Sequence, residues 1–121
     1  MKILIIGANG LIGSTMLRVL SESGDLDVFG TIRNAAAKNF FSKGIHGKLI
    51  DGIDVDQPDR LPKVLDLVRP DVVINCIGMT KHKSEADDPL SCVPINTLMP
   101  HRLANLCKLI GARMVHVSTD C

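Results

Sequence analysis

Short apolar runs alternate with amphipathic stretches along the whole chain. Ile3 to Ile6 is wholly apolar, the pattern of a strand buried on both faces of a parallel sheet. Gly7 to Gly13 follows, and Ser14 to Leu20 continues a helical spacing of Leu11, Met16, Leu17 and Leu20. Gly24 is expected to end that helix. Leu26 to Ile32 reads as a second strand, Ala35 to Phe41 as a short helix, and Lys48 to Ile50 as a weak third strand. Leu61 to Val68 reads as a helix stopped by Arg69-Pro70, since the residue before a proline is pushed out of the helical region. Val72 to Ile77 reads as another buried strand, apolar but for Asn75, followed by a polar, proline-punctuated loop from Gly78 to Pro94. The pattern then predicts a helix over Asn96 to Ile110, with Leu98, Leu103, Leu106 and Ile110 on its buried side and Gly111 closing it. Asn96 reads as the cap of that helix, and Met114 to Val117 as the fifth strand.

Strands that alternate with helices predict a doubly wound, Rossmann-like α/β fold with a parallel sheet. Right-handed crossovers give the strand order 3-2-1-4-5. Residues 1–121 hold one domain, with no internal repeat, low-complexity tract or linker.

The junction of the first strand and helix reads Gly7-Ala8-Asn9-Gly10-Leu11-Ile12-Gly13. Glycines at this place in a strand–turn–helix unit point to a dinucleotide. Gly7 permits the tight turn, Gly10 admits a pyrophosphate close to the backbone, and Gly13 lets the helix approach the sheet. The N–H groups near Gly10, Leu11 and Ile12 then meet the anion at the positive end of the helix dipole. No Gly-Lys-Ser/Thr follows, which excludes a P-loop.

Composition narrows the function classes. The 121 residues carry a net charge of +1 without a basic stripe, which argues against nucleic acid. Gly7, Asn9 and Gly10 interrupt the first apolar run, so it suits neither a signal peptide nor a membrane span, and a soluble, cytoplasmic protein is expected. Cys76, Cys92, Cys107 and Cys121 form no C-x-x-C pair or zinc quartet and read as reduced cysteines. His82, His101 and His116 show no ligand spacing, so no metal is expected and they read as surface or packing residues. The chain has no tyrosine and no tryptophan.

The spacing G-x-x-G-x-x-G resembles the extended short-chain dehydrogenases/reductases that work on nucleotide sugars. Asp54-Val55 resembles their adenine-binding pair. Asn75-Cys76-Ile77-Gly78 looks like their Asn-Ala-Ala-Gly element, which implies Cys76, Ile77 and Gly78 beside the cofactor; Cys76 stands where the family has a small residue. Val117-Ser118-Thr119-Asp120 is similar to the Val-Ser-Thr-Asp segment of the dTDP-4-dehydrorhamnose reductases, and Val72 to Asp120 aligns with them without gaps. The resemblance implies reduction of a keto group on a nucleotide-activated sugar, with Thr119 as a catalytic group and Thr119 and Asp120 at the substrate. The loop Met79-Thr80-Lys81-His82-Lys83-Ser84-Glu85 departs from the family's small-residue run and Asp-Lys-Ala-Glu, and leaves the sugar unidentified.

The second strand ends Gly30-Thr31-Ile32-Arg33-Asn34, without the acid that would hold two ribose hydroxyls of NAD. Arg33 lies 20 residues beyond Gly13 and offers a planar fork for a 2′-phosphate, so NADP is expected, with NAD as the other choice. The family's Tyr-x-x-x-Lys proton donor has no counterpart here. The expectation is therefore a cofactor-binding fragment ending after the fifth strand, inactive by itself and self-associating as a homodimer through that strand's open edge. The alternative is a non-catalytic, NADP-sensing regulatory subunit of the same superfamily.

Overall fold

The structure, a computed structural model, describes residues 1–55, 57, 59–77 and 99–117. Strand β1 (Lys2–Ile6) leads through the glycine turn into helix α1 (Leu11–Ser21) and strand β2 (Asp27–Thr31). Two 3-10 helices, Ala35–Phe40 and Lys43–Lys48, precede β3 (Leu49–Ile50). Helix α2 (Arg60–Val68), β4 (Val72–Asn75), helix α3 (Met99–Ile110) and β5 (Arg113–His116) follow. The strands form one five-stranded sheet in the order β3-β2-β1-β4-β5, and every pairing is parallel. The order expected from crossover handedness is the order found.

Alternation along β1 divides the core into two layers. Ile3 and Ile5 pack with Leu17 of α1, Val28, Leu49 and Ile74 on one face. Leu4 and Ile6 pack on the other with Leu61, Val64, Leu65 and Val68 of α2, Val73, and Met99, Leu103 and Cys107 of α3. A strand covered on both sides has no solvent face to mark, which is why β1 reads as an unbroken apolar run. At the amino edge Asp71 ties three strand entrances together. Its carboxylate accepts from the Lys2 amide at 2.8 Å, its amide donates to the Lys2 carbonyl, and its carbonyl accepts from the Arg113 amide.

Several boundaries differ from the pattern reading. Helix α1 ends at Ser21 with Glu22 in right-handed conformation, not at Gly24, which is absent from the left-handed positions Gly7, Gly52, Arg69 and Gly111. The amide of Glu22 donates to the Val19 carbonyl and that of Ser23 to the Leu20 carbonyl, so the last turn is satisfied without a glycine. Helix α3 turns Cys107 rather than Ile110 into the core; Ile110 is 47% exposed. Leu98, Asn96 and the 78–94 loop lie outside the described residues. Strand β5 starts at Arg113 instead of Met114, so the edge strand opens on a charge. Strand β4 stops at Asn75, two residues before the end of its apolar run, because the Asn75 side chain captures the Ile77 amide at 3.1 Å. At the end of α2, Arg69 adopts the left-handed conformation, with φ 52°, that glycine would otherwise supply.

Candidate functional site

The chain reverses its winding direction at β1. The β1–α1–β2 crossover runs to one side and the α2–β4 return to the other, which leaves a crevice between the carboxyl ends of β1 and β4. Gly7 follows β1 there, and Cys76 and Ile77 follow β4.

Gly7 has a left-handed φ of 84°, and a Cβ on it would lie 2.5 Å from Cγ1 of Ile77. Its amide donates to the Thr31 hydroxyl at 3.0 Å, and the Ala8 amide donates to the Thr31 carbonyl at 2.8 Å. Thr31 thus anchors two successive amides of the turn from the end of β2, and it is fully buried. A Cβ on Gly13 would collide with the Gly7 carbonyl, so α1 can sit this close to the turn only with glycine there. Gly30 serves the same close packing, since a Cβ on it would come 2.6 Å from the Ala8 methyl.

Gly10 is different. A Cβ there would meet only the Gly7 carbonyl, at an ordinary 3.7 Å. Internal packing therefore does not demand glycine at this position. Gly10 caps α1 with extended backbone and no side-chain bond, and among the described residues no acceptor meets the amides of Leu11 and Ile12. Leu11 is 86% exposed and Ile12 49% exposed, so α1 starts at the surface. An open helix N-terminus behind an unencumbered glycine fits an anion pressed against the main chain.

The other candidates spread along the same carboxyl edge. Arg33 follows β2 and pairs with Asp54, which follows β3; the guanidinium and carboxylate are 3.6 Å apart. The strand ends are laced by the Ile32 amide on the Ile50 carbonyl and the Ile53 amide on the Ile32 carbonyl. Val55 is part of the core beneath. Cys76 is half-buried against the α1 layer, and burial pushes its thiol above the ordinary value. Gly78, Thr119 and Asp120 lie outside the described residues. The structure thus gathers Gly7, Gly10, Leu11, Ile12, Gly13, Cys76 and Ile77 around the crevice, with Arg33 and Asp54 together further along the edge.

Sequence reasoning missed Thr31 and Gly30. Both carried a signal: a hydroxyl near the end of a buried strand needs a partner, and a glycine inside a strand marks close approach of another backbone. No group of three metal-ligating side chains occurs among the described residues, and no helix there is long and apolar enough to cross a membrane. A groove of about 550 Å³ between α2 and α3, lined in part by Pro62, Leu65, Leu106 and Ile110, lies at the opposite, amino edge.

Residues 3–121 match the model of the NAD dependent epimerase/dehydratase family. The chain is 30% identical over 119 residues to a dTDP-4-dehydrorhamnose reductase of Mycolicibacterium smegmatis, covering 98% of this chain and 30% of that protein. Among solved structures it resembles the UDP-glucuronic acid 4-epimerase of Bacillus cereus in complex with NAD, with a TM-score of 0.73 and 27% identity over 99% of this chain and 40% of that one. The dTDP-4-dehydrorhamnose reductase of Bacillus anthracis in complex with NADP shares the fold, with a TM-score of 0.68 at 21% identity over 93% of this chain and 34% of that one. The chain spans about a third of the length of the curated relatives it matches.

Proposed function

The chain belongs to the NAD dependent epimerase/dehydratase family, and from that premise we propose that it is the NADP-holding part of a reductase acting on a keto group of a nucleotide-activated sugar. The observation that carries the reading is the open start of α1 behind Gly10, where packing leaves room for a ligand and the amides of Leu11 and Ile12 are without acceptors among the described residues. Relatives named as reductases, at 30% identity, support the reaction class.

In this reading the pyrophosphate rests on the amides of Gly10, Leu11 and Ile12, with Gly7 and Gly13 keeping the turn and helix close enough to receive it. Arg33 binds the 2′-phosphate, and Asp54 with Val55 flanks the adenine. Cys76 and Ile77 line the crevice toward the nicotinamide, and the family motif assigns Gly78 to the cofactor as well. When bound, the cofactor supplies a hydride. The family motif assigns Thr119 to donate a hydrogen bond to the keto oxygen of the sugar and Asp120 to the substrate; a fixed donor stabilises charge as it develops on that oxygen. With no tyrosine among its 121 residues, the chain binds cofactor without turning over sugar by itself.

Titration calorimetry tests this directly. NADPH should bind the 121-residue chain with one site and more tightly than NADH. Absence of binding by both would overturn the assignment, and equal affinity would remove Arg33 from it.

A further inference from the structure

Asn75 and His116 are register partners at the carboxyl ends of β4 and β5. Asn75 is fully buried, and its amide makes two contacts that point opposite ways. The Ile77 main-chain amide donates to Oδ1 at 3.1 Å, and Nδ2 lies 2.9 Å from His116 Nδ1. A main-chain N–H can only donate, so the atom facing Ile77 must be the oxygen. The NH2 group is then turned toward His116, and Nδ1 must accept. The imidazole proton consequently sits on Nε2.

We infer that His116 is a positioning residue, whose bare Nδ1 orients the Asn75 amide and through it the turn carrying Ile77. The inference takes one further step from contacts already described. Ile77 is the wall behind the glycine turn: a Cβ on Gly7 would come 2.5 Å from its Cγ1 and 3.4 Å from its amide nitrogen. A second strand of the latch is main chain, the Val117 amide on the Asn75 carbonyl at 3.0 Å. The side-chain arm is the one that depends on the state of the ring. If Nδ1 carried the proton, the buried amide would face a donor with its own donor. It would then either lose that bond or flip, and flipping would turn its NH2 group toward the Ile77 amide. Leaving a buried polar group unpaired costs more than a typical hydrogen bond contributes. One ring tautomer at the edge of the sheet thus sets the geometry of the crevice wall.

The test uses the whole 121-residue chain, labelled with 15N. Long-range imidazole correlations should show His116 with its proton on Nε2; a proton on Nδ1 would overturn the inference. His116→Ala should speed hydrogen exchange at the Ile77 amide by about tenfold or more, since a local bond of the turn is released. His116→Asn places an oxygen where Nδ1 stands and should restore protection. Wild-type exchange in the alanine variant, or no recovery in the asparagine variant, would defeat the proposal. Should His116→Ala not fold, the wild-type tautomer and the asparagine variant still decide. The link to ligand binding rests on the cofactor reading above and has its own readout: the NADPH dissociation constant should rise about 3- to 10-fold in His116→Ala, the scale of one lost hydrogen bond, and recover in His116→Asn. If the wild-type chain bound no dinucleotide, that reading would fail while the tautomer and exchange results still judged this one.

Discussion

Arg33 and Asp54 face each other across the ends of β2 and β3, guanidinium to carboxylate at 3.6 Å. Their side chains are 70% and 34% exposed, so water screens the pair and its contribution to stability is small. In the proposed site Arg33 is the cation that would meet the 2′-phosphate. Replacing Arg33 with Ala should leave the fold intact and remove most of the preference for NADPH over NADH. A loss of about 1.5–3 kcal/mol is expected for hydrogen bonds to a charged group. Paired calorimetric titrations of both cofactors, in wild type and variant, check it.

Gly13 and Gly10 of the turn should respond differently to alanine. At Gly13 the added carbon collides with the Gly7 carbonyl, a backbone atom that cannot step aside. Gly13→Ala should destabilise the chain by about 1–3 kcal/mol or more through overpacking, seen as a lower midpoint in urea. At Gly10 the added carbon meets only an ordinary contact. Gly10→Ala should therefore melt within about 1 kcal/mol of wild type, yet bind NADPH at least about tenfold more weakly by crowding the pyrophosphate. Normal binding in a folded Gly10→Ala chain would remove this glycine from the site.

Burial pushes the thiols of Cys76 and Cys107 above their ordinary value of 9.0. The sign follows from linkage. Above pH 9 the unfolded chain gives up these protons while the folded chain retains them, so the unfolded state is favoured as pH rises. Their stabilising contribution is present in full below that pH and fades above it. Cys107 sits in the α2–α3 layer of the core. Cys107→Ala should therefore lower stability at pH 7 by about 1–2 kcal/mol through lost packing but flatten its decline between pH 8 and 10. Urea melts across that range measure both effects.

Strand β5 pairs with β4 and, among the described residues, with nothing on its other side. Val115 on it is 46% exposed. An unpaired edge with an exposed branched side chain invites another strand, although Arg113 at its start weakens the invitation. The 121-residue chain should dimerise through this edge at high concentration in reductant, and Val115→Lys should shift it to monomer. Light scattering of both proteins decides, and a monomeric wild type would exclude the edge as an interface.

The helical and strand periods, the buried run at Ile3–Ile6, the strand that begins at Val72, and the glycine turn between the first of them and α1 were all legible along the chain. So was the strand order, because crossover handedness leaves few ways to close such an alternation. These features are local or follow from a general rule of chirality. What tertiary structure decided is every relationship between distant residues. Arg33 meets Asp54, Thr31 holds the Gly7 turn, and Asn75 reaches His116, which lies 41 positions away. Periodicity says that Asn75 ends a buried strand; it does not say which neighbour will satisfy its amide. That partner exists only once β5 has docked beside β4 in register. The same holds for glycine: Gly7, Gly10 and Gly13 are one residue type in sequence. The neighbouring atoms separate the two that packing requires from the one it leaves free.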